Sequence, residues 1–158
     1  MKKFAIEIKW AILFAVVQLV WMFGERLAGL HDENISKHAI ATNFFAFVAI
    51  AVYVVALLDK RKNDFDGKMT WIQGFISGLI ITLGVTILTP LTQYLTVEVI
   101  TPHYFENMIR YAVENGLQTQ EEAEGYFNLR SYMIQSVLTA PIMGLATSAI
   151  IAIFTRKK

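Results

Sequence analysis

The chain has no cysteine, only three prolines in 158 residues, and a charged fraction of 17%. Without cysteine, disulfide frameworks, thiolate zinc sites and cysteine nucleophiles are excluded. Soluble domains typically carry about 25% charged residues, so a soluble globule of 17.9 kDa would be short of polar surface. Net charge is equally scarce, since 14 bases against 13 acids leave +1, which argues against a general nucleic-acid binder. A phosphate-binding glycine loop, a serine elbow and a paired-carboxylate motif are also missing. Nothing therefore argues for an enzyme, and no cofactor is expected. Apolar residues are plentiful: 55% of the chain is hydrophobic and the mean hydropathy is +0.46. That content excludes disorder, and the length suits one domain covering residues 1–158.

Charge is missing in blocks. Runs without a charged residue extend over Ala39–Leu58 (20 residues), Met69–Val97 (29) and Ser131–Thr155 (25). Each reaches the roughly 20 apolar residues needed to cross a bilayer core. A fourth run, Trp10–Gly24, has 15 residues, so it spans only if its flanks join in. Lys9 can snorkel to the interface, and helix-favouring residues continue from Phe4 to Leu30. Phe23-Gly24-Glu25-Arg26-Leu27 offers no small-x-small cleavage site, so this segment reads as a retained helix. The fold class expected is all-α, a four-helix transmembrane bundle with helices at about 4–30, 36–59, 70–96 and 120–154.

Orientation follows from the bases. Lys2, Lys3, Lys9, Lys60, Arg61, Lys62, Lys68, Arg156, Lys157 and Lys158 fall on one side, with four acids. Arg26, Lys37, Arg110 and Arg130 fall on the other, with nine acids. Both termini are expected in the cytoplasm, and the near-zero net charge is a cancellation between two faces.

Local signals set several boundaries. Thr70-Trp71-Ile72-Gln73 and Thr119-Gln120-Glu121-Glu122 are capping boxes, and Asp66-Gly67 is a turn. Thr101-Pro102 reads as an N-cap and first helical position, with Asn115-Gly116 as the matching stop. Between them Phe105, Met108, Ile109, Ala112 and Val113 recur at helical spacing, predicting an amphipathic helix over 102–115 in the external loop. It either lies in the headgroup layer or caps the bundle, or it serves as a lid or docking surface. The second box is expected to start a helix that runs unbroken into the last span.

Two sets of residues inside the spans stand out. Gly74, Gly78 and Thr82 in the third span and Ala140, Gly144, Ser148 and Ala152 in the fourth form small-residue stripes at four-residue spacing. Such stripes allow close helix packing, here within the chain or as a homodimer seam. Toward the outer side lie Gln18, Glu25, Thr42, Asn43, Thr89, Gln93, Gln135 and Thr139. Amides facing lipid would lose hydrogen bonds worth several kcal/mol, so this cluster should face inward, as interhelical glue or as a polar cup. Glu25 reads as an interfacial carboxylate in water. His31, His38 and His103 are external and lack the spacing of a zinc motif; with Asp32, Glu33 and Glu106 they make a metal site only if loops converge, and none is expected.

Gly29-Leu30-His31-Asp32, Lys37-His38-Ala39 with Thr42-Asn43-Phe44-Phe45-Ala46, Leu57-Leu58-Asp59-Lys60-Arg61-Lys62-Asn63, Gly67-Lys68-Met69-Thr70 with Gln73-Gly74-Phe75, and Pro90-Leu91-Thr92-Gln93-Tyr94 together resemble one family. It is a bacterial integral membrane family known as domain of unknown function 4199, and the similarity runs from Lys2 to Lys158. The resemblance implies a multi-helix membrane protein of the bacterial envelope and supplies no catalytic residue; the expected location is the bacterial inner membrane. The first functional expectation is a non-catalytic envelope protein, an interaction or assembly partner or homodimer that uses the external loop and the small-residue stripe. The alternative is a small permease or ligand-binding bundle with a polar cup in the outer leaflet.

Overall fold

A computed structural model describes residues 4–157; Lys2, Lys3 and Lys158, counted above on the basic side, lie outside the described residues. The chain is helical in the order α1 (Ala5–Leu27), α2 (Ile35–Ala41), α3 (Phe45–Asp64), α4 (Trp71–Tyr94), α5 (Tyr104–Glu114), α6 (Gln120–Tyr126) and α7 (Leu129–Thr155). A 3₁₀ turn, Thr42–Phe44, joins α2 to α3, and a π-helical segment, Leu95–Ile100, prolongs α4. Four stretches are long and apolar enough to cross a membrane: Ala5–Leu27, Ile35–Asp64, Trp71–Ile100 and Leu129–Thr155. The protein is a four-span membrane bundle.

Its packing is inverted relative to a soluble bundle. Large apolar side chains point outward, among them Val20 (66% exposed), Phe47 (70%), Ile87 (69%) and Phe154 (79%). Hydroxyls and small residues point inward: Ser77, Thr82, Thr89, Thr92 and Ser148 are all buried. Lipid supplies no drive to hide leucine, so contact is left to side chains that let backbones approach. The buried threonines satisfy themselves locally, Thr82 Oγ1 donating to Gly78 O at 2.9 Å and Thr89 Oγ1 to Val85 O at 2.9 Å.

The small-residue stripes meet each other within one chain. A Cβ on Gly74 would stand 3.3 Å from Ala152 Cβ, one on Gly78 would stand 2.5 Å from Ser148 Oγ, and one on Gly144 would collide with Thr82. These pairs put α4 and α7 antiparallel in near backbone contact. Gly84 admits Ala11 of α1 in the same way, and Tyr53 of α3 closes the interior by sharing a hydrogen bond with Thr82 at 2.8 Å.

The end carrying the termini is tied by charge. Glu7 and Lys60 are 1% and 5% exposed and pair at 2.8 Å, with Asp64 2.5 Å from the same ammonium. Asp59 receives Lys9 and, at 2.7 Å, the Trp10 indole N–H. These pairs carry α3 past its apolar stretch to Asp64, beyond the expected end at 59. The capping box is present at Thr70, after Asp66 and Gly67 turn the chain with φ of 49° and 82°. Met69 and Lys157 then exchange backbone hydrogen bonds of 2.8 Å, pinning the start of α4 to the end of α7.

Three expected boundaries move at the opposite end. Thr101 and Pro102 do not open a helix: Thr101 Oγ1 donates to Thr96 O, closing the π segment, and α5 starts at Tyr104. The helix expected to run unbroken from 120 is interrupted at Phe127-Asn128. Asn128 accepts from Ser131 N–H at 2.8 Å to cap α7, while its amide donates to the carbonyls of Glu124 and Gly125 at the end of α6. One asparagine thus satisfies both helix ends, and the break buries Phe127 against Ala112 and Ala123. The first helix ends at Leu27 rather than 30, with Gly29 in the left-handed region at φ 71°. Asn115-Gly116 does stop α5, where Gly116 N–H donates to Val113 O and Leu117 N–H to Ala112 O, a Schellman pattern. The apolar face of α5, including Phe105, Met108 and Ile109, turns into a small core with α6 and Tyr132.

Candidate functional site

The turn after α1 builds the site. Gly29 N–H donates to Arg26 O and Leu30 N–H to Glu25 O, both at 3.0 Å, a second Schellman motif. Only a residue tolerant of positive φ fits at position 29. The reversal throws His31 back over the last turn of α1, where its Nε2 lies 3.2 Å from Glu25 Oε2. From α2, His38 Nδ1 reaches 3.8 Å from the same oxygen. Trp21, one turn before Glu25, donates its indole N–H to Oε1 at 2.5 Å.

Tyr104 closes the cluster from the start of α5. Its hydroxyl lies 3.0 Å from His38 Nε2 and 3.3 Å from the Tyr132 hydroxyl. The rings of His31, His38 and Tyr104 meet edge to face with centroids 5.1–5.2 Å apart, and Asn107 holds His31 by donating to its carbonyl at 2.9 Å. Burial pushes the Tyr104 phenol far above the ordinary tyrosine range, with the nearby Tyr132 adding to it, so this hydroxyl keeps its proton.

Glu25 therefore does not sit in interfacial water. Its side chain is 3% exposed, that of His31 5% and that of His38 12%. Taking a carboxylate out of water is costly unless partners gather round it, and here an indole and two imidazoles do so. His31 Nδ1 and His38 Nδ1 are buried without a hydrogen-bond partner. One ligand atom each from Glu25, His31 and His38 lies within 4.8 Å of the others, so two of the three histidines do converge, on a carboxylate outside the expected set. The rest do not join them: His103 pairs with Glu106 at 3.4 Å on the exposed surface, and Asp32 accepts from Glu33 N–H.

The two histidines and Tyr104 form one end of a cavity of about 380 Å³ between the spans. Gln18, Gln93, Gln135 and Thr139 line it. Asn43 and Thr89 line an adjoining chamber of about 380 Å³ that shares Gln18, Gln93, Ser136 and Thr139 as walls. Phe14, Ile50 and Val85 make the second chamber more apolar, and it opens sideways where Asn43, Ile50 and Met143 are exposed. Glu25 lies behind the imidazoles, along an apolar groove with Val17 and Val48.

The hydrogen bonds of the polar cluster stay mostly within single helices. Asn43 donates to Ala39 O, Thr89 to Val85 O, Gln135 to Ser131 Oγ and Thr139 to Gln135 O. Among the described residues, its one side-chain hydrogen bond between spans runs from Gln93 Nε2 to Ser136 Oγ, at 2.7 Å.

Sequence reasoning missed the convergence on Glu25, the Tyr104–Tyr132 pair and the Glu7–Lys60 pair. Gly29 was the available signal for the first, because a glycine just past a helix end reverses the chain. No curated protein and no solved structure matches the chain. Residues 9–157 match the family model described as Protein of unknown function (DUF4199). With that match covering nearly its whole length, this four-span membrane protein belongs to the DUF4199 family.

Proposed function

We propose that the protein is a ligand-binding bundle of the bacterial inner membrane, with both termini cytoplasmic and the cavity in the outer leaflet. The ligand is a small molecule with a hydrogen-bonding end and an apolar body, taken up sideways from the bilayer. The observation that carries this reading is the two-chambered cavity itself. Its volume falls within the range of small-molecule sites, about 300–1,000 Å³; amides and hydroxyls line both chambers, and the second adds the apolar walls of Phe14, Ile50 and Val85. Were the cluster interhelical glue, its amides would bridge helices, whereas among the described residues only Gln93 does so; Gln18 has no hydrogen-bond partner there and Gln135 bonds within its own helix.

The competing reading, an assembly partner or homodimer, relies on two surfaces that the fold uses internally. Gly78 and Gly144 already face Ser148 and Thr82 of the same chain, and the apolar face of α5 is covered by α6. The basic end, with Lys9, Lys60, Arg61, Lys62, Lys68, Arg156 and Lys157, supports the cytoplasmic placement.

The test is extraction of small molecules from protein purified in mild detergent, compared with Ala46→Trp. Ala46 is an exposed residue on the wall of the second chamber, so the indole fills the opening without entering the α4–α7 contact. A co-purifying molecule present in the parent and absent from the variant, at unchanged melting temperature, supports the reading. Identical small-molecule content in the two proteins sinks it.

A further inference from the structure

We propose that Glu25, His31 and His38 form a binding site for one divalent first-row transition-metal ion, with zinc as the best fit. Two imidazoles and a carboxylate are the ligand set of catalytic-type zinc sites and of sites that keep open coordination positions. Ligands about 2.1 Å from a tetrahedral ion stand about 3.4 Å apart. Glu25 Oε2 is 3.2 Å from His31 Nε2 and 3.8 Å from His38 Nδ1, on either side of that spacing. All three donors lie within 4.8 Å of one another, so a closing movement of at most about 1.4 Å between the two imidazoles brings them onto one tetrahedral ion.

The surroundings support ligation rather than a plain ion pair. His38 Nδ1 is buried without a hydrogen-bond partner, which leaves its lone pair available. His38 Nε2 lies beside the Tyr104 hydroxyl, whose oxygen accepts a hydrogen bond from Nε2–H in the tautomer that ligates through Nδ1. Trp21 holds the second carboxylate oxygen and Asn107 the His31 backbone. Such outer partners fix ligand orientation, and their loss typically weakens metal affinity about 10–100-fold. A bound ion would take the place of the hydrogen bond between His31 Nε2 and Glu25. Both imidazoles line the cavity, so the site lies at its end. The site needs only these three side chains, so it can exist whether or not the cavity takes an organic ligand.

The experiment uses the full chain in mild detergent, stripped with a chelator and titrated with Co²⁺ and then Zn²⁺. The expected result is one Co²⁺ per chain with the visible d–d bands of a four- or five-coordinate site, displaced by Zn²⁺. His31→Gln and His38→Gln should abolish the bands, while His103→Ala, in the exposed pair with Glu106, should leave them intact. Tyr104→Phe keeps all three ligands and should weaken Co²⁺ binding about 10–100-fold, which keeps the test decisive if a histidine variant does not fold. Absence of saturable binding, bands that survive loss of the histidines, bands lost in His103→Ala, or unchanged affinity in Tyr104→Phe would each overturn the assignment.

Discussion

Replacing Gly78 by alanine should destabilise the protein although alanine is the better helix former. A Cβ at this position would lie 2.5 Å from Ser148 Oγ, 2.6 Å from Ser148 Cβ and 3.3 Å from Ser148 Cα. Carbon atoms prefer separations of about 3.5–4.0 Å, so α4 and α7 must part by about 1 Å where they pack most closely. Overpacking of this kind costs about 1–3 kcal/mol, here toward the upper end because the obstacle includes a backbone atom. The gain in helix propensity from Gly to Ala returns about 1 kcal/mol. The net loss is then about 1–2 kcal/mol, measurable by reversible unfolding in mixed micelles followed by circular dichroism. The second position sharpens the test. Ser148→Ala keeps the Cβ, leaving 2.6 Å between the two methyl carbons, and should not rescue Gly78→Ala. Ser148→Gly removes that Cβ and also a buried hydroxyl without a partner, so the Gly78→Ala/Ser148→Gly protein should recover most of the loss. Equal rescue by alanine and glycine would refute the steric argument, as would a Gly78→Ala protein within about 0.5 kcal/mol of the parent, the usual range for neutral surface changes.

Three further outcomes follow from the geometry. Gly29→Ala forces a side chain into the left-handed region at φ 71°, with its Cβ 3.1 Å from Asn34 Nδ2. That conformation costs about 1–2 kcal/mol for an L-residue, and the histidine ring signals in NMR spectra should shift as His31 moves off Glu25; unchanged spectra and stability would show that the turn does not set the site. Lys60→Met leaves the buried Glu7 carboxylate without its cation and should cost about 3–5 kcal/mol, whereas Glu7→Leu combined with Lys60→Met should recover most of it; a double variant as unstable as the single one contradicts this. Thr119 lowers the Glu122 carboxyl below its ordinary value of 4.5, first through its backbone N–H and then through its hydroxyl. The stabilisation is present above that ordinary value and disappears as pH falls through the lowered one. In an NMR titration Thr119→Ala should raise the Glu122 midpoint part of the way back, and a parent midpoint at or above 4.5 would show that the capping box does not operate in solution.

The spans and the α4–α7 seam were legible because lipid imposes strong local rules. Charge-free runs and small residues every fourth position each carry their physical reason in a few neighbouring residues, and Thr70, Thr119 and Asn115-Gly116 mark helix ends for the same reason. The break at Asn128 was harder to read, since Asn128 caps two helices at once. Gln18, Gln93 and Gln135 could be read as inward-facing because an amide in hydrocarbon lacks partners, whereas Thr139 is exposed and bonds back to Gln135 O. Whether they bridge helices or line a space depends on distances between spans, which no spacing along the chain contains.

By itself, then, the sequence determined a four-span membrane bundle, the asymmetry of charge between its two ends, and the presence of two small-residue stripes, which only the structure pairs within one chain. Tertiary structure decided the chemistry of the end away from the termini. Glu25, His31, His38 and Tyr104 come from α1, a turn, α2 and α5, so no periodicity relates them. They meet because Gly29 reverses the chain and because α5 returns over the bundle to set the Tyr104 hydroxyl 3.0 Å from His38. Local rules fix where a helix begins and ends, but a cluster drawn from four segments is fixed only when all of them pack.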